Sequence, residues 1–246
     1  MADEHILNGR VALVTGASRG IGAAIALGMA DAGAAIAINF QEREEAANEV
    51  AERIRSAGGR AMIVRADVSQ SADITRMIAE IGAEFGPVDI LVNNAGIGHQ
   101  HSIDDLTEEE WNRTIAVNLT SAFLCTQAVH QGMRERGWGR IVNITSGAAR
   151  GSGGIGVHYN ASKAGMEGLT RGYASRLAKD GITVNAIAPS LILTDMFPTS
   201  LEEAKRRIPA GRPGTPEEVA MAVIMVLANP YLTGQTIQLN GGLSFI

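Results

Sequence analysis

A single cysteine in 246 residues leaves no partner for an intrachain disulfide. Cys125 lies in the apolar run AFLCTQAV, where it reads as a small buried hydrophobe rather than a nucleophile. Basic clusters are missing too. Lys and Arg number 21 against 26 Asp and Glu, a net charge of −5 with no basic block, which argues against nucleic acid or an anionic membrane as partner. No apolar run reaches the length needed to span a bilayer. The opening MADEHILNGR has no basic stretch followed by an apolar core, so no secretory signal is expected there, and a cytoplasmic location is. No Pro/Ser linker, repeat or low-complexity tract breaks the chain, so one domain over 1–246 is expected.

What is present is a rhythm. Short Val- and Ile-rich runs at 10–15, 34–39, 60–67, 88–94, 139–145, 182–188 and 235–239 alternate with longer segments of helical period. The runs are apolar almost throughout, as expected of parallel strands covered on both faces. Seven mostly parallel strands with helices on both faces make an α/β, Rossmann-type doubly wound sheet. Helices are expected at 44–58, closing on Gly58; at 71–86, capped by Ser71; and at 107–137, where Thr107 precedes three glutamates.

Directly after the first strand stands TGASRGIG (15–22), with a helical run behind it and a second strand about twenty residues on. Gly16 suits a tight turn, Gly20 a close approach of backbone N–H groups to a pyrophosphate, and Gly22 close helix–strand packing; Ile21 lies among them. A carboxylate at the end of the second strand would bond the 2′-hydroxyl of NAD and repel the 2′-phosphate of NADP. That position holds Asn39, and Ser18 and Arg19 offer phosphate donors, so NADP is the expected cofactor, with NAD possible. Glu42 is a counter-signal, and Arg19 also reads as a solvated loop side chain.

In HYNASK, Tyr159 and Lys163 are spaced i, i+4 and share a face if the segment is helical. A phenol near pKa 10 is too weak an acid to exchange protons efficiently at neutral pH, and the neighbouring Lys163 ammonium, with the positive charge of an oxidised nicotinamide, would lower it.

Together with NNAG (93–96), Asn118 in AVNLTSAF, Ser146 in IVNITSG, NAIAPSLILTDM (185–196) and GQTIQLNGG (234–242), the sequence resembles the short-chain dehydrogenase/reductase family along almost its whole length. The resemblance implies a catalytic tetrad of Asn118, Ser146, Tyr159 and Lys163, with Tyr159 as proton donor, Ser146 bonding the substrate oxygen, Lys163 on the nicotinamide ribose and Asn118 holding a relay water. It implies further cofactor contacts from Asp67, Val68, Asn94, Ala95, Gly96, Pro189, Ile192 and Thr194. It also implies a small carbonyl or alcohol substrate and a homotetramer whose interface includes the terminal GGLSFI.

Within the family the sequence is most similar to bacterial 3-oxoacyl-[acyl-carrier-protein] reductases, whose substrate is an acyl thioester. Alcohol, sugar and other small-ketone dehydrogenases are the alternative. Gly137 and Asp180 stand where that subgroup tends to carry basic residues for an acidic carrier, with Arg134, Arg136 and Arg140 close enough to substitute. Residues 190–212 are expected to form the substrate lid, although 197–208 also reads as a plain surface helix. Ser190 replaces the usual glycine after Pro189. His99, His101 and His158 lack metal-site spacing and read as solvated loop histidines. A non-catalytic NADP-binding regulator is the reading from another class, and the intact tetrad argues against it.

Overall fold

The seven apolar runs become β1 (Val11–Val14), β2 (Ala35–Phe40), β3 (Ala61–Arg65), β4 (Ile90–Asn93), β5 (Gly139–Ile144), β6 (Ile182–Pro189) and β7 (Thr236–Leu239) in a computed structural model that describes residues 5–151, 153–195, 197 and 200–245. They form one sheet in the order β3-β2-β1-β4-β5-β6-β7, and every pairing between them is parallel. Parallel neighbours need crossovers, supplied here by α1 (Gly20–Asp31), α2 (Glu44–Ser56), α3 (Ser71–Glu84), α4 (Glu108–Ile115), α5 (Ser121–Glu135), α6 (Val157–Leu177) and α8 (Pro216–Ala228); α7 (Leu201–Arg207) lies between β6 and α8.

Side-chain alternation along the strands divides the core in two. Ala12 and Val14 of β1 pack with α1, α2 and α8, whereas Val11 and Leu13 pack with α3, α5 and α6. Cys125 sits in the second of these clusters, fully buried, and burial pushes its thiol up to about 12. Among the described residues no helix is long and apolar enough to cross a membrane.

Two helix boundaries differ from the sequence expectation. Gln70, without a side-chain cap bond, precedes α3, so Ser71 is its first residue instead of its cap. The expected helix over 107–137 does begin on Thr107, whose hydroxyl accepts from Glu110 N at 3.2 Å, but a π-helical turn at Ala116–Thr120 splits it into α4 and α5. A π turn leaves one carbonyl out of the i→i−4 ladder. The Ser121 hydroxyl donates to Val117 O at 2.5 Å and takes up part of that deficit.

The strand order reverses between β1 and β4, which opens a crevice at their C-terminal ends. Thr15, Asn94, Ser146 and Ser190 follow β1, β4, β5 and β6 along that edge.

Candidate active site

The glycine loop is built by close contact. Gly16 has φ +62°, and a Cβ there would come within 2.9 Å of Ala95 Cα. A Cβ on Gly22 would stand 2.5 Å from both Asn94 Nδ2 and Gly16 O, so only glycine lets α1 pack this near the loop. Thr15 and Asn94 lock the two strand ends together. Thr15 Oγ1 accepts from the backbone N–H groups of Asn94 and Ala95 at 3.0 Å each, and Asn94 Nδ2 donates to Thr15 O (2.9 Å) and Gly16 O (3.0 Å). No side chain caps α1 and no acidic residue stands in its first turn, so its leading N–H groups suit a pyrophosphate.

Asn39 does something other than the sequence suggested. Its side chain is buried beneath the loop, where Oδ1 accepts from Gly16 N at 3.1 Å and Nδ2 donates to Ala66 O at 3.1 Å. The residue ties β1, β2 and β3 together and does not present its amide to a ribose. Val68 and Ile21 likewise turn their side chains into the core, leaving only backbone groups for a nucleotide. Asp67, half-buried after β3, accepts from Ser69 N (2.9 Å) and Ser69 Oγ (2.7 Å).

Ser18 is half-buried, and Arg19 is exposed and bonded to Asp195 at 2.5 Å. Arg43, at the N-terminus of α2, reaches the same Asp195 oxygen at 3.6 Å. Sequence reasoning missed Arg43 and Asp195. The available signal was that Arg43 is the first basic residue after β2 and that Asp195 directly follows Thr194. Pro189 ends β6, and Ile192 is buried and bridged to Gly214. Thr194 lies over the loop, 3.5 Å from where a Gly20 Cβ would stand.

The proposed tetrad residues converge at the crevice. Ser146 follows β5, where its hydroxyl accepts from Ala148 N at 3.2 Å and shares a hydrogen bond with Tyr159. Tyr159 and Lys163 stand one turn apart on α6, both buried. The Lys163 ammonium donates to Ile144 O at 2.9 Å. Asn118, in the π turn, accepts from Ile97 N at 2.8 Å and donates to Ile97 O (2.9 Å) and Ser162 Oγ (3.1 Å). Ser162, which the sequence did not single out, passes the chain on by donating to Tyr159 O at 2.8 Å. Gly96 leaves room for this group, since a Cβ there would lie 3.3 Å from Asn118 Oδ1 and 3.4 Å from Lys163 Nζ. Gly165 lets the π turn approach α6, because a Cβ there would stand 2.6 Å from Leu119 Cδ2.

Burial raises the Tyr159 phenol above its ordinary value, and the Ser146 hydrogen bond offsets part of that rise. Burial pushes Lys163 down to about 8. Burial thus outweighs the Ser146 hydrogen bond at Tyr159, and the Lys163 ammonium, 5.7 Å from the ring centre, gives its hydrogen bond to Ile144 O.

The surrounding polar groups are mostly engaged. His158 is fully buried, not solvated: Nε2 faces His99 O at 3.1 Å and Nδ1 has no partner. His99 pairs with Glu110 at 2.7 Å and His101 with Asp105 at 3.5 Å. Arg134 is bonded to Asp180 (2.8 Å) and Arg136 to Val88 O (2.7 Å) and Asp89 (3.4 Å), while Arg140 is buried beside Trp138. These three arginines do not form a free basic patch. In the expected lid, Ser200 caps α7 and Ala204 and Ile208 anchor it, while Met196, Pro198 and Thr199 lie outside the described residues. Of the terminal GGLSFI, Phe245 is exposed and Ile246 lies outside the described residues.

Comparison with known proteins agrees with this geometry. Residues 10–205 match the family model described as short chain dehydrogenase. A 3-oxoacyl-[acyl-carrier-protein] reductase of Synechocystis is 41% identical over 241 residues, covering 96% of this chain and 98% of the relative. An acetoacetyl-CoA reductase of Rhizobium meliloti is 43% identical over 244 residues, covering 96% and 99%. Among solved structures, a putative gluconate dehydrogenase from Agrobacterium tumefaciens superposes with a TM-score of 0.93 at 37% identity, over 99% of this chain and 100% of that one. With the glycine loop, the Ser146–Tyr159 pair and Lys163 gathered at the switch point of a parallel sheet, the chain belongs to the short-chain dehydrogenase/reductase family of NAD(P)-dependent oxidoreductases acting on carbonyl and alcohol carbons.

Proposed function

We propose that the protein is an NADP(H)-dependent reductase of 3-oxoacyl thioesters, acting as a cytoplasmic homotetramer. The observation that carries the reaction is the hydrogen-bonded Ser146–Tyr159 pair with Lys163 buried behind it. When bound, the nicotinamide supplies the hydride that adds to the carbonyl carbon. Tyr159 gives its hydroxyl proton to the carbonyl oxygen, and Ser146 donates a hydrogen bond to that oxygen as its charge develops. The phenolate left on Tyr159 draws its replacement proton from the direction of Lys163, whose value near 8 suits proton release close to neutral pH. Asn118 holds Ile97 and Ser162 in register around Lys163.

The loop N–H groups from Ser18 to Gly22, with Gly96 and Thr194, would hold the pyrophosphate and nicotinamide arm, with Asp67 and Val68 toward the adenine end. Arg19 and Arg43 supply the 2′-phosphate side. The thioester reading is supported by two relatives that are named as reductases of a 3-oxoacyl carrier thioester and of acetoacetyl-CoA.

The engagement of Arg134, Arg136 and Arg140 within the chain favours a free coenzyme A thioester over one borne on an acidic carrier protein. A purified sample should oxidise NADPH with acetoacetyl-CoA faster than with acetoacetyl-carrier protein. Oxidation of gluconate or a simple secondary alcohol with no turnover of either thioester would displace the thioester reading in favour of a sugar or small-ketone dehydrogenase.

A further inference from the structure

The segment after β6 folds back across the glycine loop. Ile192 is pinned by its bridge to Gly214, Thr194 sits above Gly20, and the next residue, Asp195, places one carboxylate oxygen 2.5 Å from Arg19 Nη1 and 3.6 Å from Arg43 Nη1. Arg19 comes from the loop before α1 and Arg43 from the N-terminus of α2, 24 positions later in the sequence, and Asp195 joins them from a third place in the chain. Arg43 stands three residues after the end of β2, Arg65 of the neighbouring β3 donates to Gln41 O at 3.1 Å, and Arg19 is joined to Arg43 through Asp195; the second ribose of a dinucleotide lies at that strand end in a doubly wound sheet. A carboxylate that bonds the same guanidinium atoms as an incoming phosphate competes with it. At neutral pH the competitor is ionised, as any ordinary carboxylate is, and the Arg19 guanidinium holds it further below its usual range.

We propose that Asp195 is a tethered competitor for the 2′-phosphate of NADP(H): the phosphate must displace its carboxylate from Arg19 and Arg43, and the strength of that ion pair sets how far the enzyme prefers NADP(H) over NAD(H). The inference rests on the NADP reading above. All three side chains are substantially exposed, so the ion pair is screened and its effect is modest.

Calorimetry with adenosine 2′,5′-bisphosphate and AMP, which differ only in the 2′-phosphate, tests this on the full chain without turnover. Asp195→Asn should tighten the bisphosphate by about two- to fivefold and leave AMP unchanged. Glu42→Gln removes the same charge beside Arg43 without breaking the Asp195 clasp, and should have a smaller effect. Unchanged bisphosphate affinity in Asp195→Asn, or equal tightening of both nucleotides, would overturn the inference while leaving the NADP reading intact. If the parent protein bound AMP as tightly as the bisphosphate, the NADP reading would fall first and the inference with it. Asp195 is mostly exposed, and matched thermal melts of parent and variant would show that the fold is unaltered.

Discussion

Lys163 Nζ lies 5.7 Å from the centre of the Tyr159 ring, yet its hydrogen bond goes to the carbonyl of Ile144 at the end of β5. One main-chain acceptor and the Met166 sulfur at 3.8 Å do not replace the hydration of an ammonium, and its value falls to about 8. The chain has only three lysines, 163, 179 and 205, so lysine-selective labelling gives three side-chain signals in NMR. The Lys163 signal should titrate near 8. Titration at or above the 10.5 of a free lysine would remove the case for Lys163 as the proton source behind Tyr159.

The same shift has a signature in stability. Between about 8 and 10.5 the unfolded chain holds the lysine proton while the folded chain has released it, so stability from this group rises with pH across that window and is flat below about 8. Denaturant melts of the parent and of Lys163→Met, run from pH 7 to 10.5, should therefore differ by an amount that shifts in favour of the parent as pH increases. A difference independent of pH would mean that Lys163 titrates alike in both states.

Tyr159→Phe keeps the ring and its packing on α6 but removes the hydroxyl that shares a hydrogen bond with Ser146. Turnover should fall by on the order of 10²- to 10⁴-fold, the usual worth of a general acid, while nucleotide affinity stays within a few fold. Comparable loss of nucleotide affinity would point to a disturbed site in place of a missing proton.

The sheet was legible because strand periodicity, apolar runs and glycine punctuation are local signals, and each expected strand appears within a residue or two of its run. The π turn was not: nothing in AVNLT distinguishes a π turn from an ordinary helix, and it exists because Asn118 bonds Ile97 and Ser162 while Leu119 packs on Gly165, partners 21 to 46 positions away. Asn39 was misread for a related reason. Its position at the end of β2 was visible, but which face its amide takes depends on Gly16 and Ala66, contributed by two other strand ends. The Arg19–Asp195 pair spans 176 positions, and neither residue's sequence neighbourhood announces the other.

Ser190 offers a sharper test of packing in the site. A Cβ on Gly147, the residue after Ser146, would stand 1.9 Å from Ser190 Oγ. The hydroxymethyl group at 190 fills the space that a side chain at 147 would need. Gly147→Ala should destabilise the protein by about 1 to 3 kcal/mol through overpacking beside the proposed catalytic serine. Adding Ser190→Gly to that variant should restore most of the loss, a coupling of at least about 0.5 kcal/mol in a double-mutant cycle. Additive effects would show that Ser190 rotates away at no cost and that the two positions are independent.

The outer faces of α8 and the chain end bear on assembly. Met221 (71% exposed) and Met225 (50%) stand one turn apart on α8, Phe245 is 90% exposed, and β7 is an edge strand of the sheet. On the other side of the molecule, Trp111 and Phe123 project from α4 and α5. Apolar side chains grouped on two separate faces fit two distinct two-fold contacts, the arrangement a tetramer with three perpendicular axes requires. Light scattering should give a tetramer for the parent. Burying Phe245 alone contributes about 1.5 to 3 kcal/mol at each copy, so deletion of residues 243–246 should weaken the contact that includes β7 and α8. Met221→Glu with Met225→Glu places charge on the same face and should leave dimers held through the α4 and α5 face that carries Trp111 and Phe123. A parent protein that stays monomeric at micromolar concentration would refute the tetramer, and a charged α8 variant that remains tetrameric would move the second contact off that helix.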